Sequence, residues 1–232
     1  MFLVFKNRLN IILSYALIFV VLFVGNGLVS TSVVATSPSD RFSVVIDAGH
    51  GGIDTGCTGI SGSKESELCL SIALRLQSYL TSLGIHVIQT RTNADGLYGT
   101  FASGFKLRDL EARAKIIKSA NPNLVISIHM NAYTDSVSRG AQVFYAPNSE
   151  VSHEFADNMQ SLFISHLPSA RKSAMLGDYY ILKCTDTPGI LIECGFLSNP
   201  EEEALLISPK YQDKLAYTIT CGVLSYFDLS EF

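Results

Sequence analysis

The chain has 232 residues, 47% of them apolar, which is enough for one domain with a full core or two very small ones and too apolar for a disordered protein. Its formal charge of −4, from 17 basic and 21 acidic residues, argues against nucleic acid as a partner. Five cysteines, an odd count without a C-x-x-C pair, argue against a disulfide framework at this length and read mostly as small buried hydrophobes.

The first 35 residues stand apart. Lys6 and Arg8 precede a nearly unbroken apolar stretch from Ile11 to Val24, a basic n-region followed by an h-region. Val33-Val34-Ala35 places small residues at signal-peptidase spacing. Residues 1–35 therefore read as a signal peptide, with an uncleaved N-terminal membrane anchor as the alternative. The h-region is shorter than the ~20 residues of a spanning helix. Either way the protein is expected to be exported, with membrane contact only through an uncleaved N-terminal segment. Thr36 to Arg41 is a polar linker, and the folded domain is expected over residues 42–232.

From Phe42 onward strand and helix patterns alternate. Ser43 to Asp47 is a strand leading into the glycine-rich string GHGGIDTGCTG, Gly49 to Gly59. That string lacks the ending of a phosphate loop and the spacing of a dinucleotide loop. Glu65 to Leu83 is a helix with Gly84 as its C-cap, and Ile85 to Thr90 is the next strand. Thr92 to Lys106 is a polar surface loop and a candidate groove wall. Leu107 to Ala120 is a helix with Leu107, Leu110, Ala114 and Ile117 on one face. Leu124 to His129 and Ala141 to Ala146 are strands. Val151, Phe155, Met159 and Leu162 form the apolar stripe of a helix, and Tyr180 to Lys183 and Gly189 to Glu193 read as strands. Asn199-Pro200 and Ser208-Pro209 each supply an N-cap followed by proline for two closing helices, the first opening on the acidic run Glu201 to Glu203 as first-turn decoration. The expected fold is α/β, a single domain with a mainly parallel central sheet and helices on both faces.

Three polar side chains sit at the ends of three otherwise apolar strands: His50 in VVIDAGHGG, His129 in LVISIHMNA and Glu193 in ILIECGFLSN. Sites in open α/β sheets are built at strand ends. Two imidazoles and a carboxylate suit a catalytic zinc ion, and a further carboxylate suits the base beside it. The carboxylate ligand is Glu65 or Glu67. At about 100° per residue Glu65 shares a face with Leu68, Ile72, Leu76, Tyr79, Leu80 and Leu83, whereas Glu67 points to solvent, so geometry favours Glu65. The bland readings are a loop histidine at 50, a carbonyl-bonded histidine at 129, a helix-capping Glu65, and a Glu193 paired with Arg91, Arg108 or Arg113. A Cys194–His129 hydrolase is a weaker reading, because nothing nearby lowers a thiol pKa. His86, His153 and His166 read as surface residues.

Taken together, the strings IDAGHGG, the glutamate opening an apolar helix (Glu65), DLxxR (Asp109, Leu110, Arg113), SIHMNA and ECGFLSN resemble the zinc-dependent N-acetylmuramoyl-L-alanine amidases of the Amidase_3 family. The likeness runs from about Phe42 to Phe227, and the short architecture and ECGFLSN variant look most like its sporulation branch, which acts on spore-cortex peptidoglycan. The resemblance implies Zn2+ held by His50, Glu65 and His129, with Glu193 as catalytic acid/base. The implied reaction is hydrolysis of the amide between N-acetylmuramic acid and L-alanine. Asn131 is a candidate substrate contact on position alone. Peptidoglycan is the implied substrate, and a protein activator is a further candidate partner. The competing readings are a non-catalytic zinc- or peptidoglycan-binding protein and an exported zinc peptidase.

Overall fold

The computed structural model describes residues 42–147 and 149–229; the expected leader and linker lie outside them. Six strands and six helices follow in order: β1 Ser43–Ala48, α1 Glu65–Ser82, β2 His86–Gln89, α2 Phe105–Ala120, β3 Leu124–Asn131, β4 Gln142–Tyr145, α3 Glu150–His166, β5 Met175–Leu176, α4 Tyr180–Lys183, β6 Gly189–Phe196, α5 Pro200–Leu206 and α6 Pro209–Tyr226. They build one sheet in the order β2-β1-β3-β6-β4-β5. All neighbours run parallel except β4 against β6. The α/β reading with a mainly parallel sheet and helices on both faces therefore holds. β3 and β6 are central and covered on both sides, which is why they read as apolar runs rather than alternating ones.

Strand alternation divides the sheet into two unequal faces. Val44, Ile46, Ile126, Ile128, Ile190 and Ile192 point into the larger core, beneath α1, α3 and α6. Val45, Val125 and Leu191 point the other way, into a small cluster with Ile117 of α2 and Ile181 and Leu182 of α4. On this thinner face the strands change from apolar to polar toward their C-terminal ends: Asp47 follows Val45, Ser127 and His129 follow Val125, and Glu193 follows Leu191. Asp47 and Ser127 are buried there and tolerated because they are paired, Asp47 with Arg113 and with the Ser127 hydroxyl.

Several expectations need correction. Tyr180–Lys183 is a helical turn, not a strand. A four-residue segment has no readable period, and here adjacent Ile181 and Leu182 are both buried, as on a helix and not on a strand of alternating faces. Leu107 is 54% exposed, and the buried face of α2 carries Asp109, Arg113, Ala114 and Ile117. An ion pair faces inward, which rotates the true stripe away from the apolar one. Val151 is exposed and the buried stripe of α3 is Ser152, Phe155, Ala156, Met159, Gln160 and Phe163. Gln160 belongs there because its amide accepts from Val143 N at 2.8 Å and donates to Arg171 O at 2.8 Å, fastening the sheet edge.

Nor is the acidic run mere decoration. Glu202 and Glu203 are buried. Glu202 accepts from the amides of Gly140 and Phe196, each at 2.8 Å. Glu203 accepts from the Ser61 and Ser63 hydroxyls at 2.7 and 2.6 Å, tying the loop before α1 to α5. Asn199 caps α5 as expected, accepting from Glu201 N at 3.0 Å and Glu202 N at 3.2 Å, with Pro200 in the first turn. Asn199→Ala should lower stability by about 1 kcal/mol in denaturant unfolding. Ser208 occupies the N-cap of α6, but its side chain makes no capping bond.

Candidate metal centre

β1 ends at Ala48, and the chain turns at once. His50 adopts φ +59°, left-handed backbone that is uncommon outside glycine and is held here by its surroundings. Two buried arginines do the holding. Arg91 donates from Nε to Ala48 O at 2.9 Å and from Nη2 to Gly49 O at 2.8 Å. Arg113 donates to Ala48 O at 2.6 Å and to His50 O. Arg113 is itself fixed by Asp47 at 2.7 Å and Asp109 at 2.6 Å. The DLxxR string thus supports the His50 turn from beneath. Burial alone would raise the Asp47 pKa, but the Arg113 charge and then the Ser127 hydroxyl bring it down to about 2.

Three side chains converge above this base. Glu65 opens α1 and is buried, whereas Glu67 is exposed and pairs with Lys64. Glu65 Oε1 lies 3.1 Å from His50 Nε2 and 3.0 Å from His129 Nδ1. The same oxygen accepts from Met130 N at 3.1 Å, and Oε2 accepts from Cys57 N at 2.8 Å. Neither donor belongs to α1, so Glu65 does not serve as that helix's cap. One donor atom from each of His50, Glu65 and His129 lies within 4.8 Å of the others. Two glycines make room. A Cβ at Gly49 would stand 2.3 Å from the His129 ring, and one at Gly56 would stand 2.4 Å from Glu65 Oε2.

The donor set fits a tetrahedral cation. Nitrogen and oxygen ligands ~2.0–2.1 Å from such an ion lie roughly 3.3 Å apart, close to the separations present here. His50 gives a second test. Its Nδ1 faces Asp54 Oδ2 at 3.0 Å while Nε2 faces Glu65. A neutral imidazole has one N–H and can satisfy only one of two carboxylates. With a cation, Nδ1–H donates to Asp54, Nε2 offers its lone pair, and the outer carboxylate orients the ring. Burial pushes the His50 pKa down, but Glu65 and then Asp54 outweigh it and raise it. Asp54 in turn pairs with Lys106 at 3.1 Å.

Glu193 stands on β6 in register with His129 on β3. It is 8% exposed, and its Oε2 is buried without a hydrogen-bond partner. The alternative of a salt bridge fails: Arg91 and Arg113 are spent on the turn, and Arg108 donates to the carbonyls of Tyr98, Thr100 and Ser103. Burial chiefly, against the opposing pull of His129, pushes the Glu193 carboxyl up to about 7. A cation between the histidines would draw it down again. Cys194, next along β6, is buried, and burial followed by the charge of Glu193 pushes its thiol up, so it is no nucleophile.

Asn131 follows a register shift at the end of β3 and lines a separate cavity of about 650 Å³. A smaller cavity of about 280 Å³ is lined by His50, His129, Asp54 and Tyr179. The loop expected as a groove wall packs against the His50 turn, where Tyr98 OH accepts from Ile53 N at 2.9 Å and Ala94 O from Gly52 N at 2.6 Å, and its last residue, Lys106, lines the smaller cavity. The glycines flanking His50 were legible as allowing a sharp turn and a close approach, as Gly49 against His129 shows, whereas Asp47, Asp54 and Gly56 escaped the sequence reading. Of these three Asp54, four residues after His50, carried some signal, but loop spacing does not show what a side chain faces.

Known proteins place this geometry. A family model described as N-acetylmuramoyl-L-alanine amidase (Amidase_3) matches residues 44–225. The chain is 38% identical over 191 residues to the germination-specific N-acetylmuramoyl-L-alanine amidase of Bacillus subtilis, covering 79% of each. It is 30% identical over 229 residues to AmiA of Escherichia coli, covering 79% of this chain and 75% of that one. Among solved structures, the CwlD amidase from Clostridioides difficile in complex with the GerS lipoprotein is similar with TM-score 0.77 at 34% identity, over 81% of this chain and 99% of that one.

Proposed function

The chain belongs to the N-acetylmuramoyl-L-alanine amidase family, and from that premise we propose that it is a zinc-dependent hydrolase of the muramoyl–L-alanine amide in peptidoglycan. One observation carries the zinc reading: two imidazole nitrogens and one carboxylate oxygen converge within 4.8 Å at the strand ends, beside a buried carboxyl with an unpartnered oxygen.

In this reading His50, Glu65 and His129 hold the ion. Zinc, when bound, supplies Lewis-acid polarisation of the amide carbonyl and of water. Glu193 takes a proton from the attacking water and returns it to the departing L-alanine nitrogen. Its Oε2 is buried with no donor to stabilise the ionised form, which suits a group that must take up a proton. Asp54 holds the His50 ring and Lys106 holds Asp54. The products are a muramic acid carboxyl group and a peptide stem. Asn131, on the cavity side of His129, contacts substrate.

Similarity to the germination-specific enzyme and to CwlD supports action on spore-cortex peptidoglycan, outside the cytoplasm. Residues 1–35 are the export signal or anchor, 36–41 the linker and 42–232 the catalytic domain. Because CwlD was solved with the GerS lipoprotein, a protein activator for this chain belongs to the same proposal.

Incubation with purified peptidoglycan, followed by mass analysis of the soluble products, tests the reaction. Intact stems and stemless glycan are expected; cuts within the stems would instead mark a zinc peptidase. Chelation should abolish release, and zinc should restore it. Gly49→Ala, whose methyl group meets the His129 ring, should lower bound zinc at least tenfold while the chain stays folded by circular dichroism.

A further inference from the structure

The larger cavity, about 650 Å³, belongs to none of the groups assigned above except Asn131, and its charge is unbalanced. Arg139, Arg171 and Lys172 line it, and no acidic residue does. That is notable in a chain of net charge −4. Arg139 is engaged by Glu201 at 3.0 Å. Among the described residues, no carboxylate pairs with Arg171 or Lys172. The Arg171 backbone is pinned, donating to Ala141 O at 2.9 Å and accepting from Gln160 Nε2 at 2.8 Å. Its guanidinium lies over the Phe196 ring, 5.0 Å from the centroid. The cation is thus positioned by backbone and ring, and its N–H donors are left open to the cavity.

The cavity adjoins the reaction centre through sheet register. Gln142, on its wall, is the β4 partner of Glu193, and Phe196 is the β6 partner of Asn131. A substrate whose scissile amide lies beside Glu193 therefore has one flank in a positively charged hollow. The glycan offers hydroxyls and acetamides but no charge once its lactyl group is in the amide. The carboxylates of this substrate lie on the peptide stem. Resting on the amidase reading, we propose that this cavity receives the stem, and that Arg171 and Lys172 select stems carrying a free carboxylate.

Two stem carboxylates share that chemistry: the one on the second residue and the one at the stem's end. Three muramoyl tripeptides separate them, one with all carboxylates free, one amidated at the second residue and one amidated at the end. Calorimetric binding to the Glu193→Gln protein avoids turnover. The free form should bind about tenfold more tightly than one of the two amides, which identifies the carboxylate read. Arg171→Gln with Lys172→Gln should erase that difference without changing the thermal midpoint, while Arg171→Lys should keep most of it. Equal binding of all three ligands, no binding of any, or a preference that survives the double substitution would overturn the proposal. With Glu193 intact, failure to hydrolyse any of the three would sink the amidase reading while leaving a binding preference in place. Equal binding with normal hydrolysis would sink only the subsite.

Discussion

Glu193→Gln is expected to lower turnover of peptidoglycan by about 10²–10⁴-fold, with zinc content and fold retained. Three features set that size. The carboxyl is buried, it has an oxygen with no partner, and it sits in register with His129. An amide of the same shape fills the same space but cannot take a proton from water. The pH profile of the wild-type chain should agree. The base must be ionised, so activity should fall as pH drops through the Glu193 pKa. That pKa is about 7 from burial without a metal, and the acid limb should lie lower with zinc bound, because a nearby cation favours the carboxylate. Mass analysis of released stems for wild type and variant side by side checks this. A Glu193→Gln protein of undiminished rate would remove Glu193 from the mechanism.

Asp47→Asn should produce the largest loss of stability. Asp47 and Arg113 are each 2% exposed and 2.7 Å apart, and removing the Asp47 charge leaves the buried Arg113 balanced by Asp109 without its second carboxylate. Losing one of two carboxylates from a buried arginine should cost about 3 kcal/mol, the lower end for a broken buried pair, or roughly 6–12 °C in thermal midpoint for a domain of this size. Asp47 also accepts from the Thr90 and Ser127 hydroxyls, both at 2.7 Å, so a network is lost and not a single bond. Its folded pKa of about 2 lies below the ordinary 3.8. The stabilisation is therefore complete above the unfolded value and disappears as pH falls from about 4 to about 2, a change of roughly 2 kcal/mol. Stability in wild type should fall over that acid range, and Asp47→Asn should fall less steeply, keeping the part owed to Asp54, Glu65 and Glu203, whose partners also lower their pKa values. Because Arg113 also holds the His50 carbonyl, the variant should bind zinc less well even where it remains folded.

How much of this was legible in the sequence depended on whether a signal was local. The runs Leu124–His129 and Gly189–Glu193 announced themselves as apolar stretches ending in a polar residue, and the strands built on them continue to Asn131 and Phe196. Helical periodicity put Glu65 on the buried face of α1 and Glu67 in solvent, which is where the fold has them. Periodicity failed where buried polar groups replaced apolar ones. Asp109 and Arg113 on α2, and Ser152 and Gln160 on α3, turned the true stripes away from those drawn through leucine and valine. Glu202 and Glu203 were hidden similarly, since a first-turn acid that binds distant amides looks the same as one facing water. The short Tyr180–Lys183 turn had no period to read. Asp47 and Asp54 act through partners tens of residues away or across a loop, and no spacing rule reports those. The antiparallel insertion of β4 against β6 is likewise a matter of topology.

The most direct measurement is bound zinc per chain, by inductively coupled plasma mass spectrometry, in wild type and in Glu65→Ala. One equivalent in wild type and almost none in a folded Glu65→Ala protein is the predicted result. A folded wild type without zinc, or a Glu65→Ala protein that keeps its full equivalent, would contradict the assignment of His50, Glu65 and His129 as the metal site.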